Sequence, residues 1–248
     1  MSSATNPRGC RLGVLAFGDS ITNGGGELQW GVALQSWALW VARGLGLPFT
    51  GYAVDGATAR DLVDDQLAAF RARAAPEARY NLGCLYVGVN DVRALDWSGE
   101  RFAASFAEAL EFLGERCDRV LALTAPLDLG RPRAGAKVRE LNAVIERLAA
   151  EHGALVLDLS RFGARNLVMT DHVHPTAFGQ IAIAERALDV LQADGIDTVV
   201  RPHTLIRYQT TRWRRLRSDA TYVYRHLKVS ARALALVTWL RVTPRNPR

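Results

Sequence analysis

Ser20, in the block Gly18-Asp19-Ser20-Ile21-Thr22, offers a hydroxyl nucleophile, and His174, in Asp171-His172-Val173-His174-Pro175, offers a base to activate it. The three-residue separation of Asp171 from His174 lets a carboxylate fold back onto the imidazole Nδ1–H, which fixes the tautomer that turns Nε2 toward a nucleophile. Between these blocks lie Asp55-Gly56-Ala57-Thr58 and Gly88-Val89-Asn90-Asp91. The Gly56 N–H, the Asn90 side-chain amide and the N–H of Ser20 itself can surround an oxygen on which negative charge develops. Taken singly these blocks say little: Gly-Asp-Ser suits many turns, an Asn-Asp pair commonly caps a helix, and a lone glycine commonly serves the backbone. Taken together, they supply one candidate for each role in acyl transfer. Asp19 and Asp91 read as loop-organising carboxylates, because neither has a partner base. His172 is the alternative base, with a surface or structural role as its default.

For these residues to meet, the elements between them must bring four distant segments to one rim. Leu12 to Phe17 is a short apolar run of buried-strand type that ends on Gly18-Asp19-Ser20, a sequence suited to a strand-to-helix turn. Further strands are expected at Phe49 to Val54, Asn81 to Val87, Val120 to Thr124 and Ala154 to Leu159. Helices are expected at Gln35 to Leu45, Ala59 to Ala74, Phe102 to Arg116, Lys137 to His152 and Thr176 to Leu191, the last capped by Thr176. Alternating strands and helices call for a parallel sheet covered on both faces, because parallel neighbours need crossover connections. Sites in such sheets lie beyond the carboxyl ends of the strands, and Ser20, Gly56 and Asn90 each follow a candidate strand. The loops Asn23 to Leu34, Arg93 to Glu100 and Leu127 to Gly135 then shape the pocket.

Length and composition agree with one such α/β domain and an appendage: 248 residues with 49% hydrophobic content bury a core well above the small-domain limit. Cys10, Cys84 and Cys117 are an odd count without close pairing, and they read as reduced thiols in the interior. The first apolar run is too short for a secretion signal, so a cytoplasmic location is expected. No run of about 18 uncharged apolar residues predicts a membrane-spanning helix. The five histidines form no His-Glu-x-x-His arrangement and the cysteines have no zinc-type spacing. Gly24-Gly25-Gly26 is followed by Glu27 rather than by a Gly-Lys-Ser/Thr sequence, so it is no phosphate-binding loop. No metal and no cofactor are assigned.

With those blocks in that order, the chain resembles the SGNH (GDSL-type) hydrolase family of serine esterases and lipases over roughly residues 11 to 193. The resemblance implies an α/β, flavodoxin-like three-layer αβα sandwich with a five-stranded parallel sheet. It places the nucleophile on Ser20, the other oxyanion-hole residues on Gly56 and Asn90, and the remaining catalytic pair on Asp171 and His174. The first block reads Gly-Asp-Ser-Ile where the family name has Leu, a swap between aliphatic residues. Asp55 departs further, standing where a small or neutral residue is expected, and its charge disfavours anionic acyl substrates. The expected activity is cofactor-independent hydrolysis of a carboxylic ester, with a small-to-medium acyl group favoured. Two rivals stand beside it: an acyltransferase working through the same acyl-enzyme, and a non-catalytic binding module.

The net charge of +6 conceals an asymmetry. Residues 201–248 hold twelve Lys or Arg and one acid, Asp219, leaving 19 bases against 24 acids in residues 1–200. The chain is therefore expected to divide into a hydrolase domain, residues 1–195, and a basic C-terminal helical extension, residues 196–248. Within the extension, residues 219 to 241 read as a helix with Val223, Leu227, Leu234 and Val237 at helical spacing and Arg225, Lys228 and Arg232 as a basic stripe. Three readings of it stay open: docking on the acidic catalytic domain, lying on an anionic membrane surface, or meeting an acidic partner protein or a nucleic acid.

Overall fold

The computed structural model describes residues 11–208 and 210–242. Five strands, β1 (Val14–Gly18), β2 (Phe49–Gly51), β3 (Tyr80–Tyr86), β4 (Cys117–Leu123) and β5 (Leu155–Leu157), form one sheet in the order β2-β1-β3-β4-β5. Every neighbouring pair is parallel. This is the flavodoxin-like order, in which the chain reverses direction across the sheet at β1 and β3 and opens a crevice there. Val14 to Phe17 are fully buried, as a central strand covered on both faces requires.

Helices α2 (Trp37–Gly44) and α8 (Ala177–Ala193) pack together over one face. The other carries α6 (Gly99–Arg116), α7 (Ala136–Glu151) and a continuous helix made of α3 (Ala59–Asp61), a π-helical segment (Leu62–Leu67) and α4 (Ala68–Arg73). Two short helices, α1 (Ser20–Asn23) and α5 (Val89–Arg93), sit at the carboxyl ends of β1 and β3. A last helix, α9 (Arg212–Val242), follows a 3-10 turn at Pro202–Leu205.

Departures from the sequence reading have local causes. β1 starts at Val14 rather than Leu12 because Gly13, at φ +88°, turns the chain just before it. β2 is shorter than expected, yet Tyr52 and Val54 still donate to the Ala16 and Gly18 carbonyls at 2.9 and 3.1 Å, so the chain runs alongside β1 to the rim. β5 stops at Leu157 because Asp158 Oδ1 takes the Thr124 hydroxyl at 3.0 Å and Leu159 N donates back to Thr124 Oγ1 at 2.8 Å. Thr176 caps α8 as expected, accepting from Gly179 N at 3.1 Å. Cys84 is buried and Cys117 partly so, both unpaired, while Cys10 lies outside the described residues.

The segment between Ile196 and Ile206 lies against the domain: Val199 and Val200 donate to the Gly44 carbonyl, and Arg201 pairs with Asp189 at 2.7 Å. Helix α9 is longer than expected, beginning at Arg212. It docks, but through a different face. Tyr222 and His226 turn inward, while Val223, Leu227 and Leu234 are exposed; the side chain of Val237 lies outside the described residues. Arg225 leaves the basic stripe to pair with Glu27 at 2.8 Å. No helix among the described residues is long and apolar enough to cross a membrane.

Candidate active site

Ser20 is the first residue of α1, immediately beyond β1, and its position is fixed from several sides. Gly18 carries φ +151°, and a Cβ there would collide with the Tyr86 carbonyl oxygen, so only glycine lets β1 approach β3 this closely at its end. Gln66, buried in the π-helical segment, accepts from Gly18 N at 3.1 Å and donates to Gly18 O at 2.8 Å. Its amide satisfies both polar groups of the residue where the sheet ladder ends, where an unpaired buried group is costly. Gln180, fully buried in α8, donates to the carbonyls of Ile21 at 2.9 Å and Gly25 at 3.1 Å and accepts from Trp37 N at 2.8 Å. The two glutamines clamp the turn before and after the serine. Neither was singled out from the sequence, because a glutamine inside a helix carries no pattern that separates a buried clamp from a solvated side chain.

Asp19 is the N-cap of α1, accepting from Ile21 N at 2.9 Å. This agrees with its reading as a loop-organising carboxylate. Its other oxygen, Oδ2, is buried without a partner. Burial therefore pushes the Asp19 pKa up to about 7; the Ile21 amide and the charge of His174 pull it down, and Asp91 adds to the rise.

Across the crevice, the loop before α8 supplies the histidine. Ser20 Oγ lies 3.0 Å from His174 Nε2, and His174 Nδ1 lies 2.7 Å from Asp171 Oδ2. Asp171 Oδ1 accepts from the backbone of Val173 at 2.9 Å and of His174 at 3.1 Å, an Asx-type turn that explains the i, i+3 spacing. Burial alone would raise the Asp171 pKa, but the bonds from His174 and these amides outweigh it and hold it below the usual value. The same Asp171 hydrogen bond raises the His174 pKa, against a smaller opposing effect of burial. The arrangement is a hydroxyl, an imidazole and a carboxylate joined in one hydrogen-bonded line.

His172 does not share it. At φ +55° its ring turns the other way, 2.8 Å from Asp128 Oδ2 and about 3 Å from the Arg131 guanidinium. Burial first, and then Arg131, lower its pKa.

The two remaining blocks meet each other beyond the carboxyl ends of β2 and β3. Asn90 Nδ2 donates to Ala57 O at 3.0 Å, joining α5 to the turn that contains Gly56. Asp91 accepts from Ala59 N at 3.1 Å, and Thr58 and Asp61 form a capping box, so α3 starts directly after that turn. Gly56 has φ +80° with open space over its α-carbon, which places glycine there for its backbone conformation rather than for close packing. Asp55 accepts from Asn23 Nδ2 at 2.9 Å on the exposed side of the same turn. The Ser20 N–H, at the first position of a helix, has no acceptor within that helix.

A sequence model of the GDSL-like Lipase/Acylhydrolase family matches residues 16–182. No curated protein matches the chain. Among solved structures, a member of the lipolytic protein G-D-S-L family from Veillonella parvula DSM 2008 is similar with a TM-score of 0.58 and 23% identity, over 73% of this chain and 98% of that one. An alpha/beta hydrolase enzyme from the metagenome of Lake Arreo, Spain, is similar with a TM-score of 0.57 and 20% identity, over 73% of this chain and 94% of that one. An acetylxylan esterase from Geobacillus stearothermophilus is similar with a TM-score of 0.55 and 20% identity, over 72% of this chain and 93% of that one. These likenesses show a shared fold.

Proposed function

This chain belongs to the GDSL-like lipase/acylhydrolase family, and from that premise we propose that it hydrolyses carboxylic esters through an acyl-enzyme on Ser20. His174 takes the Ser20 proton as the hydroxyl attacks the ester carbonyl, and Asp171 holds the imidazole in the tautomer that can do so and stabilises the imidazolium that forms. The carbonyl oxygen, now negative, sits among the N–H groups of Ser20, Gly56 and the Asn90 side chain. The imidazolium returns its proton to the leaving alcohol. Water then attacks the acyl group with His174 again as base, releasing the acid and restoring Ser20.

The observation that carries this reading is the Ser20–His174–Asp171 line, 3.0 and 2.7 Å between groups that are 154 and 3 residues apart in sequence. The raised His174 pKa and lowered Asp171 pKa support it, since both favour the charged pair that forms during attack. Residues 1–195 carry all of these groups, and we assign that span as the hydrolase unit with 196–248 as its extension.

A series of p-nitrophenyl esters of increasing acyl length, given to the full chain and to Ser20→Ala, tests the proposal. Hydrolysis of the short and medium esters that vanishes in Ser20→Ala is expected. Turnover retained by pure Ser20→Ala protein would remove Ser20 from the mechanism.

A further inference from the structure

Helix α9 is amphipathic in a way that docking on its own domain does not use up. At about 100° per residue, Trp213, Leu216, Ala220, Val223, Tyr224, Leu227, Ala231 and Leu234 fall within one arc of about 100°. All eight are exposed, and the large ones strongly so: Trp213 is 80%, Leu234 69% and Leu227 63% accessible. Isolated exposed leucines are ordinary, but an unbroken apolar stripe along several helical turns is not.

The opposite side of the helix is what holds it. Asp219 pairs with Arg165, Arg225 with Glu27 at 2.8 Å, and the Arg165 guanidinium lies over the Tyr222 ring. His226 approaches His172 with ring centroids 5.8 Å apart. Before the helix, Tyr208 packs into Trp30 and Phe178, 6.0 and 4.9 Å between centroids. The inward face is thus anchored at the loop before Asp171, and the stripe points away from it. Helix and domain together enclose a cleft of about 350 Å³ beside Met169 and Thr170.

What borders the stripe identifies its occupant. Arg217 and Lys228 run along one edge, with Arg214 and Arg232 behind them, and Arg212 stands at the other; all are exposed and none has an ion-pair partner among the described residues. The helix's one acid, Asp219, is already committed inward to Arg165. A second copy of this helix laid on the stripe would bring basic edge against basic edge with no carboxylate to separate them. A nucleic acid would use the basic edge and leave the leucines in water. A surface of anionic headgroups over acyl chains satisfies both: guanidinium and ammonium groups meet the phosphates, the leucines and valine enter the boundary, and Trp213 and Tyr224 suit the interfacial level.

We propose that α9 is a membrane-surface helix that lays its Leu216–Val223–Leu227–Leu234 stripe on an anionic lipid bilayer while its inner face stays on the hydrolase domain. The protein lies on the bilayer and does not span it. Binding depends on two contributions together, apolar burial and attraction of the basic edge to the headgroups.

Co-sedimentation of the full chain with vesicles of phosphatidylglycerol and phosphatidylcholine, against vesicles of phosphatidylcholine alone, tests this. Binding to the anionic vesicles, weakened by salt and weak on the neutral ones, is expected. The variant L227E/L234E should lose affinity by at least about tenfold for each leucine. K228E/R232E should lose about tenfold or more in total. Both variants should hydrolyse a soluble short ester at the rate of the unaltered chain, which shows them folded. The blue shift of tryptophan emission on anionic vesicles should shrink in Trp213→Phe. Equal binding to neutral vesicles, unchanged binding by L227E/L234E, a dimer in solution that L227E/L234E dissolves, or retention on DNA without vesicle binding would each overturn the proposal.

Discussion

The turn around Ser20 and the helix α9 are built on opposite principles. Around Ser20 the polar groups are buried and, Asp19 Oδ2 apart, matched: Gln66 bonds both backbone groups of Gly18, Gln180 holds Ile21 and Gly25, and Ser36 donates to Thr22 O at 2.6 Å. Along α9 the domain-facing side is held by two ion pairs and a few ring contacts, and the opposite side keeps its leucines in solvent. Reaction geometry needs placement within fractions of an ångström, which only an over-determined network gives. A helix that meets something outside the molecule needs surface that the molecule itself leaves uncovered.

Substitutions sharpen this contrast, and the largest effect should fall on the line of three groups. Asp171→Asn leaves its size unchanged but offers the wrong partner to His174 Nδ1, so kcat should fall by about 10⁴-fold with little change in KM. Steady-state kinetics on a p-nitrophenyl ester checks this, and a loss of less than tenfold would show that Asp171 does not orient the base. Gln66→Leu should come next, as a change in stability. It strands the Gly18 N–H, leaves the Gly18 carbonyl only its bond from Val54 N, and should lower the unfolding free energy by about 1–3 kcal/mol, measured in urea.

The pH dependence is a subtler break point. Asp171 raises the His174 pKa above the ordinary 6.5, and a protonated imidazole cannot accept the Ser20 proton. Activity should therefore be lost as pH falls through a value above 6.5, and the limb should move to lower pH in Asp171→Asn. An acid limb of kcat/KM below 6.5 in the unaltered chain would contradict the assigned hydrogen bond. The smallest effect belongs to α9. Leu227→Glu should alter folding stability by no more than about 0.5 kcal/mol, since its side chain is exposed. A large loss would mean that the stripe is covered after all.

The legibility of the two regions in the sequence differed for physical reasons. Ser20, Gly56, Asn90, Asp171 and His174 stood out because each chemistry-bearing type follows a strand or a short turn at a fixed spacing, and the sheet order converts those positions into one rim. The α/β layering was equally plain from alternating runs. What spacing did not reveal was support: Gln66 sits in a π-helical segment, whose extra residue shifts the helix face away from a 3.6-residue reading. His172 and His174 were separable only in part, because the choice rests on a positive φ and on Asp128 and Arg131, far away in sequence. In α9 the apolar stripe was visible, but which face would meet the domain depended on Glu27 and Arg165, residues that no local pattern connects to it.

The central claim is that Ser20 is the nucleophile held by His174, and its most direct test is the site of covalent capture. The full chain treated with a fluorophosphonate and digested for mass spectrometry should carry a single label on the Ser20 hydroxyl, and His174→Ala should slow that labelling severely. A label on another residue of active protein, or undiminished activity in protein fully labelled at Ser20, would contradict the account.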